Sequence, residues 1–160
     1  MARIIPNDAS YIAFASSGGI ASASLVPTAA EVTAAVNLTP FTMSITASTQ
    51  GNVLPTPSFD TLFETSTVGT SSAQFSADFY RDDTADTAWT TLPRKTKGFF
   101  IISRFGGLGA LHKPITGDTV EVWPVIVVSR SMAGMANNTL QTFQVTCAIY
   151  KEPNEAAVVT

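Results

Sequence analysis

Hydrophobic side chains recur at every second position through much of this chain. Ala73, Phe75, Ala77 and Phe79 alternate with Gln74, Ser76, Asp78 and Tyr80, the pattern of a strand with one buried and one wet face. Phe143, Val145, Cys147 and Ile149 repeat it within Thr139–Tyr150. Leu38, Met43, Ile45 and Ala47 do so among Thr and Ser between Asn37 and Ser48, although Pro40 disturbs the start. Tyr11–Phe14 is a short strand candidate that ends at Ser16-Ser-Gly-Gly19, and Asp60 to Val68 also reads as extended. Two segments are apolar on both faces. Gly98–Arg104 is a continuous run, as expected of a strand covered on both sides. Thr119–Arg130 carries Val120, Val122, Ile126 and Val128 on one face and Trp123, Val125 and Val127 on the other. One face belongs to a core; the other needs a helix or a neighbouring subunit, which makes Trp123, Val125 and Val127 the candidate subunit interface. Pro124 has no N–H to give to a ladder, so a bulge or an edge is expected there.

Helical periodicity is confined to one place. Ala85, Ala88, Trp89 and Leu92 fall at i, i+3, i+4 and i+7, which predicts a short α-helix over about residues 84–92, capped by Asp83 and ended by Pro93. Thr28-Ala-Ala-Glu31 matches a capping box, so Ala29–Ala35 is either a brief helical turn or a connecting loop. Thr49–Ser58 contains Gly51, Pro55 and Pro57 and is expected to be a long inter-strand loop with no regular structure. Such a length of loop in a compact domain is functional or disordered. Glu152–Thr160 reads as a tail without a core of its own. The chain is thus expected to be mostly β, with one short flanking helix, forming a single domain over residues 1–160 with an extended N-terminal segment and a C-terminal tail.

Composition adds a function class. A length of 160 residues allows one domain with a real core, and 45% hydrophobic residues with ten Phe exclude a disordered chain. Only 13% of residues are charged, against roughly 25% in an ordinary soluble domain. A surface of Thr, Ser, Ala and Asn is easily desolvated, which suits burial against other copies and predicts a homo-oligomer. Residues 1–80 hold Asp8, Glu31, Asp60, Glu64 and Asp78 against Arg3 alone. No Lys/Arg stripe of the kind that neutralises phosphates is present, and Arg94-Lys95-x-Lys97 reads as a solvated turn. The single cysteine, Cys147, excludes an internal disulfide and lies in an apolar alternating run, so burial is expected. Met1–Asp8 lacks the apolar stretch of a secretory signal, and no run is long enough to span a bilayer. Assembly in a cytoplasm, with no membrane partner, is the expectation.

Catalytic chemistry needs a convergent set of titratable groups. His112, the one histidine, sits beside Pro114 in a loop, and one His with one Cys builds no His/Cys metal site. Gly106-Gly-Leu-Gly109 lacks the spacing, the following Lys-Ser/Thr and the helix of a phosphate cradle. Asp82, Asp83 and Asp86 read as helix-capping residues, and Trp89 and Trp123 as core or interface anchors more readily than as sugar platforms. No catalytic residue, metal or cofactor is expected.

A resemblance sharpens this reading. Phe79-Tyr-Arg-Asp-Asp83, Asp86-Thr-Ala-Trp89, Leu92-Pro-Arg, Thr96-Lys-Gly-Phe-Phe100 and Arg104-Phe-Gly-Gly107 occur in order. They resemble the central block of tail tube (major tail) proteins of long-tailed phages of actinobacteria. Pro27-Thr-Ala-Ala-Glu31, Gly117-Asp-Thr-Val-Glu-Val-Trp-Pro124 and Glu152-Pro-Asn-Glu155 are similar too, so the resemblance spans most of the chain. It implies a β-barrel or β-sandwich with a flanking helix, whose copies form rings, usually of six, that stack into a tube. One sheet of each copy would line a channel through which genomic DNA leaves. A long loop and the termini would touch the adjacent ring, and tape measure, tail terminator and baseplate or tip proteins would be further partners.

In that picture the acidic bias has a role. Lys and Arg hold DNA by releasing counterions, so a conduit that lets DNA slide without specific binding needs a neutral or acidic wall. Asp78, Glu64, Gln74 and Ser76 are the candidate channel-lining residues, and Thr142, Gln144 and Thr146 form an alternative polar face. Gln50, Gly51, Asn52, Val53, Leu54 and Pro55 are the candidate ring-stacking loop. Two other readings remain open: a capsid-decorating or head–tail joining β protein, and a carbohydrate-binding β-sandwich with an exposed aromatic groove.

Overall fold

A computed structural model describes residues 10–56 and 65–160. Its strands are β1 (Tyr11–Ser16), β2 (Val36–Asn37), β3 (Thr42–Thr56), β4 (Thr65–Tyr80), β5 (Lys97–Ser103), β6 (Thr119–Met132), β7 (Thr142–Ile149) and β8 (Asn154–Val158). They form one antiparallel sheet in the order β2-β1-β5-β6-β7-β4-β3. β8 pairs with the first part of β6, whose later part pairs with β7. Pro124 falls between those two partnerships, so its missing N–H faces no ladder; the edge expected there is this gap.

The alternating patterns make the sheet curl. β4 and β5 are separated by two strands, yet Phe75 stacks on Phe100 with ring centres 4.6 Å apart. Phe14 meets the same ring edge-on at 5.2 Å, and Phe79 lies 5.5 Å from Phe143. The concave face thus closes on an aromatic core with Trp123, Val125, Val127 and Val145. Each such side chain contributes about 1.5–3 kcal/mol by leaving water. The result is sandwich-like and does not close into a barrel. A cleft lined by Ile12, Met43, Ile45, Ile102 and Phe105 separates the β1 side from β3.

Two helices form, α1 (Ala29–Ala34) and α2 (Thr87–Thr91), where one was expected. The Thr28/Glu31 capping box decides the first. Thr28 accepts from the Glu31 amide at 3.2 Å, while Glu31 accepts from the Thr28 amide at 2.8 Å and the Ala21 amide at 2.8 Å. These bonds hold the Glu31 carboxyl below its ordinary pKa. Val32, with Ile20 and Leu25, then covers a second core of Ala13, Phe99, Ile101, Val120 and Val122 on the convex face. The second helix is shorter than residues 84–92 and Asp83 does not cap it. Asp86 occupies the N-cap at φ 45° without a side-chain cap, because its carboxylate pairs with Arg81.

Two further expectations are corrected. The C-terminal segment is no free tail: β8 pairs with β6, and Ala157 and Val159 are buried in the convex core. Residues 49–56 are no structureless loop either, since they continue β3 in register with β4 as far as Thr56↔Thr65. β3 is an edge strand, so Pro55 leaves its free side unpaired at no cost to the ladder. Gly51 lies at the register shift between Gly51 and Val53. Pro57, Ser58 and Glu64 lie outside the described residues.

Candidate functional site

Partners directly opposite in a sheet point to the same face. Two complete rows therefore run across four strands on the outer face. Ser44, Asp78, Gln144 and Ser131 form one, and Thr46, Ser76, Thr146 and Ser129 the next. Gln74 and Ser48 begin a third. The two polar patterns read as alternatives in the sequence, Gln74/Ser76/Asp78 and Thr142/Gln144/Thr146, are adjacent halves of one surface. Hydroxyls and amides cover it; Asp78 is its one charged group in these rows, and Ser44 Oγ donates to Asp78 Oδ2 at 2.5 Å. The reverse side of the same strands carries Ala77, Phe75, Val145 and Cys147 in the core, so core packing fixes which way the polar face points.

Beyond Phe75↔Cys147, β4 has no partner except β3. From Ala47 to Thr56 the paired strands project as an arm of nine residue steps, about 30 Å. Its tip side carries Val53, Leu54 and Val68, at 60%, 48% and 75% exposure. Gln50, Gly51, Asn52 and Pro55 are exposed with them. At the root, Thr49 Oγ1 donates to Glu155 Oε1 at 3.0 Å. Near the tip the Thr56 and Thr65 hydroxyls donate to each other's carbonyls at 3.0 Å.

Trp123, Val125 and Val127 are not surface. They are buried at 1%, 0% and 1% exposure in the concave core, and the other face of β6, expected to be core, is covered near its start by α1 and its flanking segment. The helix that the two-faced pattern called for comes from the same chain. Trp123 Nε1 donates to Glu121 Oε2 at 3.0 Å, and Glu121 pairs with Arg104.

The remaining candidates for chemistry are occupied structurally. Trp89 has the Arg130 and Arg81 guanidinium carbons 3.8 and 4.4 Å from its ring and Phe143 edge-on at 5.1 Å. Neither tryptophan offers the open ring that a sugar platform needs. Burial pushes the Cys147 thiol up to about 12, far from a reactive thiolate. Among the described residues, no three of His, Cys, Asp and Glu are grouped to hold a metal ion, and no helix is long and apolar enough to cross a membrane.

The polar sheet face and the apolar-tipped arm are the two prominent uncovered surfaces among the described residues. The family model of phage tail tube proteins matches residues 1–160. The chain belongs to the phage tail tube protein family. It is accordingly a structural protein of the virion, located in the tail. Solved structures share its fold. The tail of an empty gene transfer agent particle, refined with C6 helical symmetry, superposes with a TM-score of 0.57 at 11% identity, covering 98% of this chain and 100% of that one. A baseplate structure of the anti-feeding prophage gives 0.58 at 7% identity, covering 96% of each chain. A native gene transfer agent virion gives 0.53 at 12% identity, over 79% of this tail tube protein and 91% of that chain. No curated protein sequence matches.

Proposed function

We propose that this tail tube protein forms six-membered rings that stack into a conduit for DNA, and that the β3-β4-β7-β6 outer face is the channel wall. The observation that carries this is the two four-strand rows of hydroxyl and amide side chains with Asp78 as their one charge. Such a wall gives phosphates no counterion-releasing cation to grip. The dimensions suit a tube: four strands at about 4.8 Å each supply about 19 Å of wall per copy, and six copies enclose a bore at least about 37 Å across between backbones. Strand tilt widens it further. Residues 1–160 act as one unit in this reading, catalysing nothing, with tape measure, tail terminator and baseplate or tip proteins as further partners.

The arm would reach the adjacent ring, its Val53, Leu54 and Val68 leaving water there. Glu64, the second carboxylate assigned to the wall from sequence, lies outside the described residues and enters no test. Replacing Asp78 and Gln144 with Lys tests the wall. Tubes are expected to form normally while DNA release slows several-fold at low salt, with the delay shrinking as salt screens the new charges. Release at the unmodified rate in low salt would contradict the assignment.

A further inference from the structure

Exposed apolar side chains gather at both ends of β6. Before its first residue, the β5–β6 loop (104–118) holds Leu108 and Leu111 at 84% and 86% exposure, flanked by Phe105 and Ile115. After its last, the β6–β7 turn holds Met135 and Leu140 at 85% and 74%. A single strand thus separates two apolar surfaces by about 45 Å, its 14 residues at about 3.3 Å each.

The loop is rigidly built. Asp118 Oδ2 accepts from the Leu108 amide at 2.9 Å and from the Ile115 amide at 2.8 Å. Gly107 N–H donates to the His112 carbonyl at 2.7 Å, and Gly109 N–H to the Lys113 carbonyl at 3.0 Å. A Cβ on Gly107 would lie 2.3 Å from Pro114 Cα, so the loop closes on itself only with glycine there. Leu111 and His112 are both left-handed, at φ 54° and 57°, a conformation that residues bearing a Cβ disfavour. Joining two strands requires none of this. Fixing several apolar side chains in water marks an interaction surface.

The topology identifies what covers it. β4 is antiparallel to β7, and β7 to β6, so β4 and β6 run the same way. The arm tip, where β4 begins, therefore lies at the same end of the molecule as the β5–β6 loop. Stacking by translation sets that end of one copy against the opposite end of the next, where Met135 and Leu140 are exposed. We propose that the β5–β6 loop is a preformed apolar knob that seats on the β6–β7 turn of a second copy in the adjacent ring, extending the arm's contact. This rests on the stacked-ring reading. No unpaired carboxylate enters the seat, since both neighbouring amides engage Asp118.

Cysteine pairing tests it. Tubes of a Leu111→Cys/Met135→Cys variant, oxidised and run on a denaturing gel, are expected to give a ladder of covalently linked chains, with each single variant giving monomer. Tubes without a ladder would overturn the knob and leave the tube intact, as would a dimer from Leu111→Cys alone, which places the knob against itself. Failure of the unmodified protein to form tubes would overturn both. In parallel, Leu108→Asp/Leu111→Asn should melt like the unmodified protein, since Asn accepts the left-handed position, and elongate at least tenfold more slowly. Elongation at the normal rate would overturn the proposal.

Discussion

Val125 has no exposed surface, and Trp123 and Val127 on either side are buried with it among Phe75, Phe100 and Val145. A carboxylate at that position has no partner within the core. Val125→Asp should therefore cost several kcal/mol and abolish folding rather than association. Val128→Asp, at a half-exposed position on the same strand, should leave the melting temperature of the free protein within a few degrees. Soluble yield and thermal melting followed by circular dichroism separate these outcomes; a Val125→Asp protein that melts normally but forms no tubes would restore the interface role. Periodicity shows that β6 is apolar on both faces, but it is silent on what covers each. The cover for Val120 and Val122 comes from Ile20, Leu25 and Val32, about a hundred residues away, and such distance leaves no local pattern. Cys147 was legible as buried because its alternating neighbours are. Its burial in the concave core keeps it silent in the cysteine-pairing experiment.

Strands were legible wherever one face is buried and the other polar, as in β4 and β7. The arm was not, because its residues are exposed on both faces and its Gly and Pro mimic loop chemistry. Pairing with a partner strand, together with a free outer edge that tolerates Pro55, overrides that local preference. In the same way the α2 boundary moved because Arg81 takes the Asp86 carboxylate, a contact outside the helix. Outward of its root, where Ala47 and Ala73 touch the core and Thr49 bonds Glu155, the arm is held by its own ladder, so in free protein it should open locally and be cut by proteases within residues 50–56 or 65–72. In assembled tubes it should be protected. Equal cleavage in both states, or normal elongation after the arm is shortened, would contradict its stacking role.

At the scale of the whole molecule, low charge and polar faces fit a subunit whose surface is largely buried by copies of itself. Both cores are built from described residues of one chain, which leaves the exposed faces and ends for assembly. In the proposed tube the polar face would point inward, and the arm and the two apolar ends along the axis. The face was visible in the sequence as two separate polar alternations. Only strand register unites them, through Asp78↔Gln144 and Ser76↔Thr146. The most direct measurement is a cryo-electron microscopy map of tubes grown from the purified protein, at a resolution that traces β strands. The rows from Ser44 to Ser131 and from Thr46 to Ser129 should line the bore, with Asp78 and Gln144 pointing at the axis. A map with that face turned outward or buried between neighbours, and another surface lining the channel, would contradict the assignment.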